Sequence, residues 1–257
     1  MKILVIGDVT SPQGVEHLKR NLWKFREKNK IDFCIVNGEN ASFITGISPE
    51  LAEVLNRAGA DCITGGNHTL RNKRVYTFLD DSDIILRPIN FGDTAPGKGY
   101  TILDCNGYRM LVINAMGRVH IDPVLDSPFT AIDRALRENE GRYDFAILDF
   151  HAEATGEKLA VGYAFDGKIN IIFGTHTHVK TADAQVLPQG TGYISDVGMC
   201  GESGGILGMD PYVVVERMRS SLPHNFKAAS GPCRADGAIF TLDTSSGRVT
   251  DIESISF

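Results

Sequence analysis

Asp32-Phe33-Cys34-Ile35-Val36-Asn37-Gly38-Glu39-Asn40 is an apolar run that breaks at a glycine into an acid and an amide. An apolar stretch of this length bounded by a turn residue reads as a buried strand. The same grammar recurs along the chain. Lys2 to Ile6 runs into Gly7-Asp8, and Asp61 to Thr64 into Gly65-Gly66-Asn67-His68. Phe145 to Phe150 ends at His151, and Asn170 to Phe173 at Gly174-Thr175-His176-Thr177-His178. Amphipathic helices are predicted at about Gly14 to Asn29, Pro49 to Ala58 and Arg71 to Leu79, with Ser48 capping the second ahead of its proline. Strand, polar loop, helix, strand is the α/β pattern, and in such sheets function collects beyond the carboxyl ends of the strands.

Two hairpins break this rhythm. Tyr100–Asp104 and Tyr108–Asn114 flank the turn pair Asn106-Gly107, and Ala238–Asp243 and Val249–Ile255 flank Ser245-Ser246-Gly247. Hairpins beside βα units predict a mixed sheet, or two sheets packed face to face with helices outside. The glycine-rich stretch from Gly198 to Gly208 is expected to form no regular element, only a loop or hinge near the site. No repeat or linker is visible, so the 257 residues are expected to form one domain, 1–257.

Composition narrows the function. Hydrophobic residues make up 42% of the chain, enough for a substantial core. No apolar run reaches the roughly 18 residues that cross a bilayer, and the N-terminal run is too short for a signal peptide, so a cytoplasmic protein is expected. A net charge of -6 argues against a dedicated nucleic-acid groove or an anionic membrane surface. The basic residues Lys19, Arg20, Lys24, Arg26, Lys28 and Lys30 read as the solvated face of the first helix, opposite Val15, Leu18, Leu22 and Phe25. Five widely spaced cysteines with no C-x-x-C pair exclude a disulfide scaffold and a zinc ribbon.

The polar residues at the strand ends form a ligand set. Asp8 and Glu39 offer anionic oxygens, Asn40 and Asn67 amide oxygens, and His151, His176 and His178 imidazole nitrogens. This mixture, without thiolate, suits manganese, iron or zinc. His68 directly follows Asn67 and is expected near the metals without necessarily joining them. Asp149 and Asp196 are candidates to orient ligand imidazoles. His17, His120 and His224 are read as ordinary.

Gly7-Asp8, Gly38-Glu39-Asn40, Gly66-Asn67-His68, His151 and Gly174-Thr175-His176-Thr177-His178 resemble the ordered motifs of the calcineurin-like metallophosphoesterase superfamily. Asn37-Gly38-Glu39-Asn40, Gly65-Gly66-Asn67-His68, Ile113 to Arg118, Gly174 to Val179, Thr181-Ala182-Asp183 and Asp196-Val197-Gly198-Met199 resemble the YmdB-type bacterial phosphodiesterases within it. The resemblance implies a two-sheet β-sandwich flanked by helices, a four-layer α/β/β/α fold. It implies one metal on Asp8, Glu39, Asn40 and His178 and a second on Glu39, Asn67, His151 and His176, with Glu39 bridging. Iron or manganese is expected, zinc next. It also implies hydrolysis of cyclic nucleotides, 2′,3′-cyclic ones in particular, by a hydroxide between the metals with His68 as general acid. The expected partner is a small-molecule phosphodiester, and a homo-oligomer is compatible with the pattern. Where the superfamily has histidine two residues after its first Asp, this chain has Thr10, and the loop after Met199 also departs from the closer family. A phosphomonoesterase or nuclease on the same metals, and a nucleotide-sensing regulator without turnover, remain as alternatives.

Overall fold

The computed structural model describes residues 1–43 and 45–257. β1 (Lys2–Ile6) and the short β2 (Asp8–Val9) lead into α1 (Pro12–Asn29), which starts two residues before the expected Gly14. Ser11 explains the earlier start: its hydroxyl accepts from Gly14 N and Pro12 fills the first turn. β3 (Phe33–Asn37), α2 (Pro49–Ala58) and β4 (Cys62–Thr64) follow, with Ser48 capping α2. The helix expected over Arg71–Leu79 is instead two 3-10 turns, Thr69–Arg71 and Lys73–Val75, and a short α3 (Tyr76–Asp81). Asn72 makes the break. Its backbone is extended and its side chain accepts from Arg74 N, a local alternative to the helical bond.

β5 (Tyr100–Cys105) and β6 (Tyr108–Met116) form the first expected hairpin, with Asn106 and Gly107 at φ 54° and 85° in its turn. Next come α4 (Pro128–Glu138), β7 (Phe145–His151), α5 (Thr155–Ala164), β8 (Ile171–Thr175), β9 (Gln185–Val186) and β10 (Gly192–Ile194). β11 (Met199–Glu202), α6 (Pro211–Ser220) and the second hairpin, β12 (Cys233–Leu242) with β13 (Val249–Ser256), complete the order. β11 corrects the expectation that Gly198–Gly208 holds no regular element. It pairs with both β2 and β12, and its Gly201 is required because a methyl there would overlap Thr10 Oγ1.

The strands form two mixed sheets. One has the order β2-β11-β12-β1-β3-β4, with β13 also on β12; the other runs β5-β6-β7-β8-β10-β9. Alternate residues of each strand enter different cores. Ile3, Val5, Phe33 and Ile35 meet Val112, Ile147, Ile171 and Phe173 between the sheets. Leu4, Ile6, Cys34 and Val36 face Leu18 and Leu22 of α1 and Leu55 of α2. Leu111, Ile113 and Leu148 face Ile132 of α4 and Val161 of α5. The result is helix, sheet, sheet, helix, and strands buried on both faces are apolar throughout. Arg26 departs from the solvated-face reading of α1: it is buried, 2.9 Å from the Asp61 carboxylate. No helix among the described residues is long and apolar enough to cross a membrane.

Candidate metal centre

β1, β3, β4, β7 and β8 end on one side of the sandwich, and their polar breaks meet there. Glu39, His151 and His176 each bring one ligand atom within 4.8 Å of the others. His151 Nε2 lies 3.1 Å from His176 Nδ1, 3.1 Å from Asn67 Oδ1 and 3.5 Å from Glu39 Oε2. On the other side, His178 Nε2 lies 3.5 Å from the Asn40 amide and 3.9 Å from Asp8 Oδ1. All seven expected ligands therefore converge, with Glu39 between the two groups.

Hydrogen bonding on the outer side of each ring fixes which nitrogen faces inward. The Thr175 hydroxyl donates to Asp149 Oδ1 at 2.7 Å, so it accepts from His151 Nδ1 at 2.9 Å. That leaves the Nε2 lone pair of His151 aimed into the site. His176 Nε2 is 3.1 Å from Glu153 Oε2, which leaves its Nδ1 lone pair inward. His178 Nδ1 faces the Leu207 carbonyl at 3.4 Å, leaving Nε2 inward. The lone pairs of His151 Nε2, His176 Nδ1 and Asn67 Oδ1 thus face one another beside Glu39 Oε2, a repulsive arrangement unless a cation sits among them, while His178 Nε2 faces the Asn40 amide nitrogen. Asp8 Oδ1, buried and without a hydrogen-bond partner, is the sharpest sign of this. Gly66 keeps the space open, since a methyl there would overlap both His151 Nε2 and Glu39 Oε2. These residues fit a metal-binding site.

The electrostatics agree. Burial, then the neighbouring Glu39 charge, raises the Asp8 carboxyl well above its ordinary range, and burial raises Glu39 to about 7. Burial likewise lowers His151, His176 and His178, the last to about 4. Two acids buried this close together, with only the Arg71 charge acting on Glu39, favour protons or cations between them.

The loop after β8 that carries the candidate ligands His176 and His178 is strained. His176 and His178 sit at φ 101° and 64°, in the left-handed region that favours glycine. Three anchors hold it. Asp8 Oδ2 accepts from His176 N at 2.9 Å, and Asp196 accepts from Thr177 N and Oγ1 at 3.1 and 2.8 Å. The buried Lys158 donates to Thr175 O and Asp196 Oδ2, both at 2.8 Å. Asp149 and Asp196 therefore reach the imidazoles through Thr175 and the loop backbone, not directly as expected. Glu153 and Lys158 are the residues sequence reasoning missed. The only sequence signal for Glu153 was its place two residues after His151.

His68 sits at the mouth, with N donating to Glu39 Oε2 at 3.0 Å and Nδ1 2.6 Å from Asn40 Oδ1. Burial, with the Arg71 charge next, lowers its imidazole to about 4. His120 and His224 are exposed and outside the cluster, while His17 Nε2 contacts Phe257 O at 3.1 Å.

Fold and site together define a protein of the metallophosphoesterase type: paired mixed sheets between helices, with a buried carboxylate, amide and imidazole set at the strand ends. The model of the YmdB-like proteins matches residues 4–255, and the chain belongs to that family within the calcineurin-like metallophosphoesterase superfamily. It is 43% identical over 255 residues to the 2′,3′-cyclic-nucleotide 2′-phosphodiesterase of Bacillus subtilis (strain 168), covering 99% of this chain and 96% of that protein. Among solved structures, a protein of Thermus thermophilus superimposes with a TM-score of 0.92 at 37% identity, covering 100% and 99% of the two chains. A phosphatase of Mycoplasma pneumoniae does so with a TM-score of 0.92 at 32% identity, covering 100% and 93%.

Proposed function

We propose that this chain is a phosphodiesterase of cyclic nucleotides, 2′,3′-cyclic ones foremost, working with two transition-metal ions. One ion would be held by Asp8, Glu39, Asn40 and His178, the other by Glu39, Asn67, His151 and His176. The observation that carries this reading is the set of inward lone pairs around Glu39, with Asp8 Oδ1 left unpartnered. When bound, such ions supply Lewis acidity toward a phosphate and lower the pKa of water beside it. Iron or manganese suits the oxygen-rich donor set best, with zinc next. The relative at 43% identity carries the same activity in its name.

The chain's own residues supply the rest. Thr175, Glu153 and Leu207 fix the ring orientations, so the three imidazoles are already aimed into the site before loading. His68 is the proton donor for the departing ribose oxygen. In the free protein burial keeps it neutral, with its pKa near 4. A phosphodiester anion bound beside it favours the charged imidazole, which then takes up from solvent the proton it must give to the leaving oxygen.

The test is protein stripped with chelator, reloaded with iron, manganese or zinc, and assayed on 2′,3′- and 3′,5′-cyclic nucleotides. Turnover of the 2′,3′-isomers by protein holding two ions per chain is expected. Full activity at one ion, or no turnover of cyclic nucleotides with any metal, would overturn the reading. His68→Ala should slow 2′,3′-cyclic nucleotide hydrolysis by roughly 10²–10⁴-fold. A nitrophenyl ester, whose leaving group needs no proton, should lose much less. Equal losses would make His68 a phosphate-binding group instead.

A further inference from the structure

A cavity of about 360 Å³ opens beside His178. A larger one, about 520 Å³, lies at Arg87, Tyr100 and Arg134 and contains none of the convergent ligands. The cavity at His178 takes apolar surface from Val179, Met199 and Leu207 and polar groups from Lys180, Arg234 and Asp236. Its volume is at the low end of the roughly 300–1,000 Å³ of small-molecule sites, room for one nucleoside-sized group. Val179 and Leu207 are 56% and 45% exposed, large apolar side chains left in water at the rim of a polar site. Asp236 is buried and anchors Arg234 Nη2 at 3.0 Å, with Lys180 Nζ 3.7 Å away.

Leu207 is the informative residue. Ile206 and Met209 exchange two backbone hydrogen bonds of 2.9 Å, enclosing Leu207 and Gly208 at φ 53° and 81°. Two left-handed central residues make a type I′ turn, for which Asn-Gly is the favoured pair. Leucine in that conformation costs roughly 1–2 kcal/mol, and its side chain gains little burial in return. A position that breaks the local rule without a packing gain is where function is expected. The carbonyl of Leu207 also faces His178 Nδ1 at 3.4 Å, so the turn keeps a set register against the ligands.

We propose that this cavity receives the base of the nucleotide, with Val179 and Leu207 against its faces and the anchored Arg234 at its edge. The inference rests on the cyclic-nucleotide reading above. It explains a subsite sized for a single nucleoside where a nuclease would need a groove that follows a strand.

The experiment measures kcat/KM on adenosine 2′,3′-cyclic phosphate and on methyl riboside 2′,3′-cyclic phosphate, which has the same reacting group and no base. Metal-loaded wild type should prefer the nucleotide by about tenfold or more, as expected for burying one aromatic group. Leu207→Asn, which suits the turn, and the exposed Val179→Ser should each shrink that ratio about fivefold or more. Leu207→Asn should also keep or raise the thermal midpoint, so a lost ratio cannot be lost folding. Rates that fall together on both substrates, or a wild type indifferent to the base, would overturn the base assignment and leave the cyclic-nucleotide reading standing. Hydrolysis of a nitrophenyl phosphodiester with neither cyclic phosphate turned over would overturn both.

Discussion

Replacing Lys158 with methionine removes one buried ammonium and keeps most of the side-chain volume. Lys158 is 1% exposed and donates to Asp196 and to the carbonyl of Thr175. Without it, Asp196 is a buried carboxylate with no countercharge, and breaking a buried pair from one side costs about 3–5 kcal/mol. Three hydrogen bonds remain on that carboxylate, from Thr177 N, Thr177 Oγ1 and Gly198 N, which points to the lower half of the range. For a chain of this length about 3 kcal/mol lowers the thermal midpoint by roughly 6–12 °C. The second effect is local. Thr175 and Thr177 bracket His176, whose left-handed backbone needs both ends held, so metal affinity should weaken by about 10–100-fold. Calorimetric metal titration and thermal melts of stripped protein read the two effects separately. Lys158→Met with Asp196→Asn should cost less than the sum of the single changes, since the pair then leaves together. A loss under about 1 kcal/mol, or unchanged metal affinity, would refute the role given to this pair.

Gly66→Ala should leave a folded protein that binds fewer metal ions and turns over at least about 100-fold more slowly, since the added methyl takes the space between His151 and Glu39. Elemental analysis with a rate assay decides it, and full metal content at full rate would contradict the geometry. Metal-free protein should lose stability as pH rises from about 6.5, where the histidines fall silent, through the folded value of Glu39 near 7. Glu39 and Asp8 have folded pKa values raised by burial, Glu39 to about 7, so the fold keeps protons that the unfolded chain has already released. The lowered histidines act in the opposite sense, but only below the ordinary imidazole value of 6.5, where the unfolded chain gains protons that the fold refuses. Melts across that window should show a smaller fall for Glu39→Gln, and none once metal favours the charged carboxylates. A metal-free midpoint that rises across it would reverse the sign.

Most strands that end in candidate ligands were legible because they announce themselves twice, as an apolar run and as a glycine break, the strand ending at His151 by its apolar run alone. Ser48-Pro49 and Asn106-Gly107 were legible because capping and turn chemistry are local. What failed was non-local or compensated. Gly201 weakens any strand prediction until Thr10, far away in sequence, is seen to need its missing side chain. Asn72 divides a segment whose apolar spacing is helical throughout. Lys158 looks like any surface lysine of an amphipathic helix, and only the position of Asp196 beneath it makes it an anchor. Leu207 carries no signal at all, because a leucine before a glycine does not advertise a type I′ turn. The convergence of the candidate ligands was foreseeable from sheet topology, while the tautomers that aim them required Thr175 and Glu153 in place.

The pairing of β1 has a consequence for biosynthesis. One edge of this strand meets β3, about thirty residues later, but the other meets β12, where Ile3 faces Phe240 and Ile6 faces Gly237. A chain leaving the ribosome therefore carries Ile3-Leu4-Val5-Ile6 with an open hydrogen-bonding edge until β12 has been made. An unpaired apolar edge recruits other strands, and domains emerge at only about 5–20 residues per second. For tens of seconds the segment that delivers Asp8 is an aggregation hazard, and it is the hairpin of β12 and β13 that closes it.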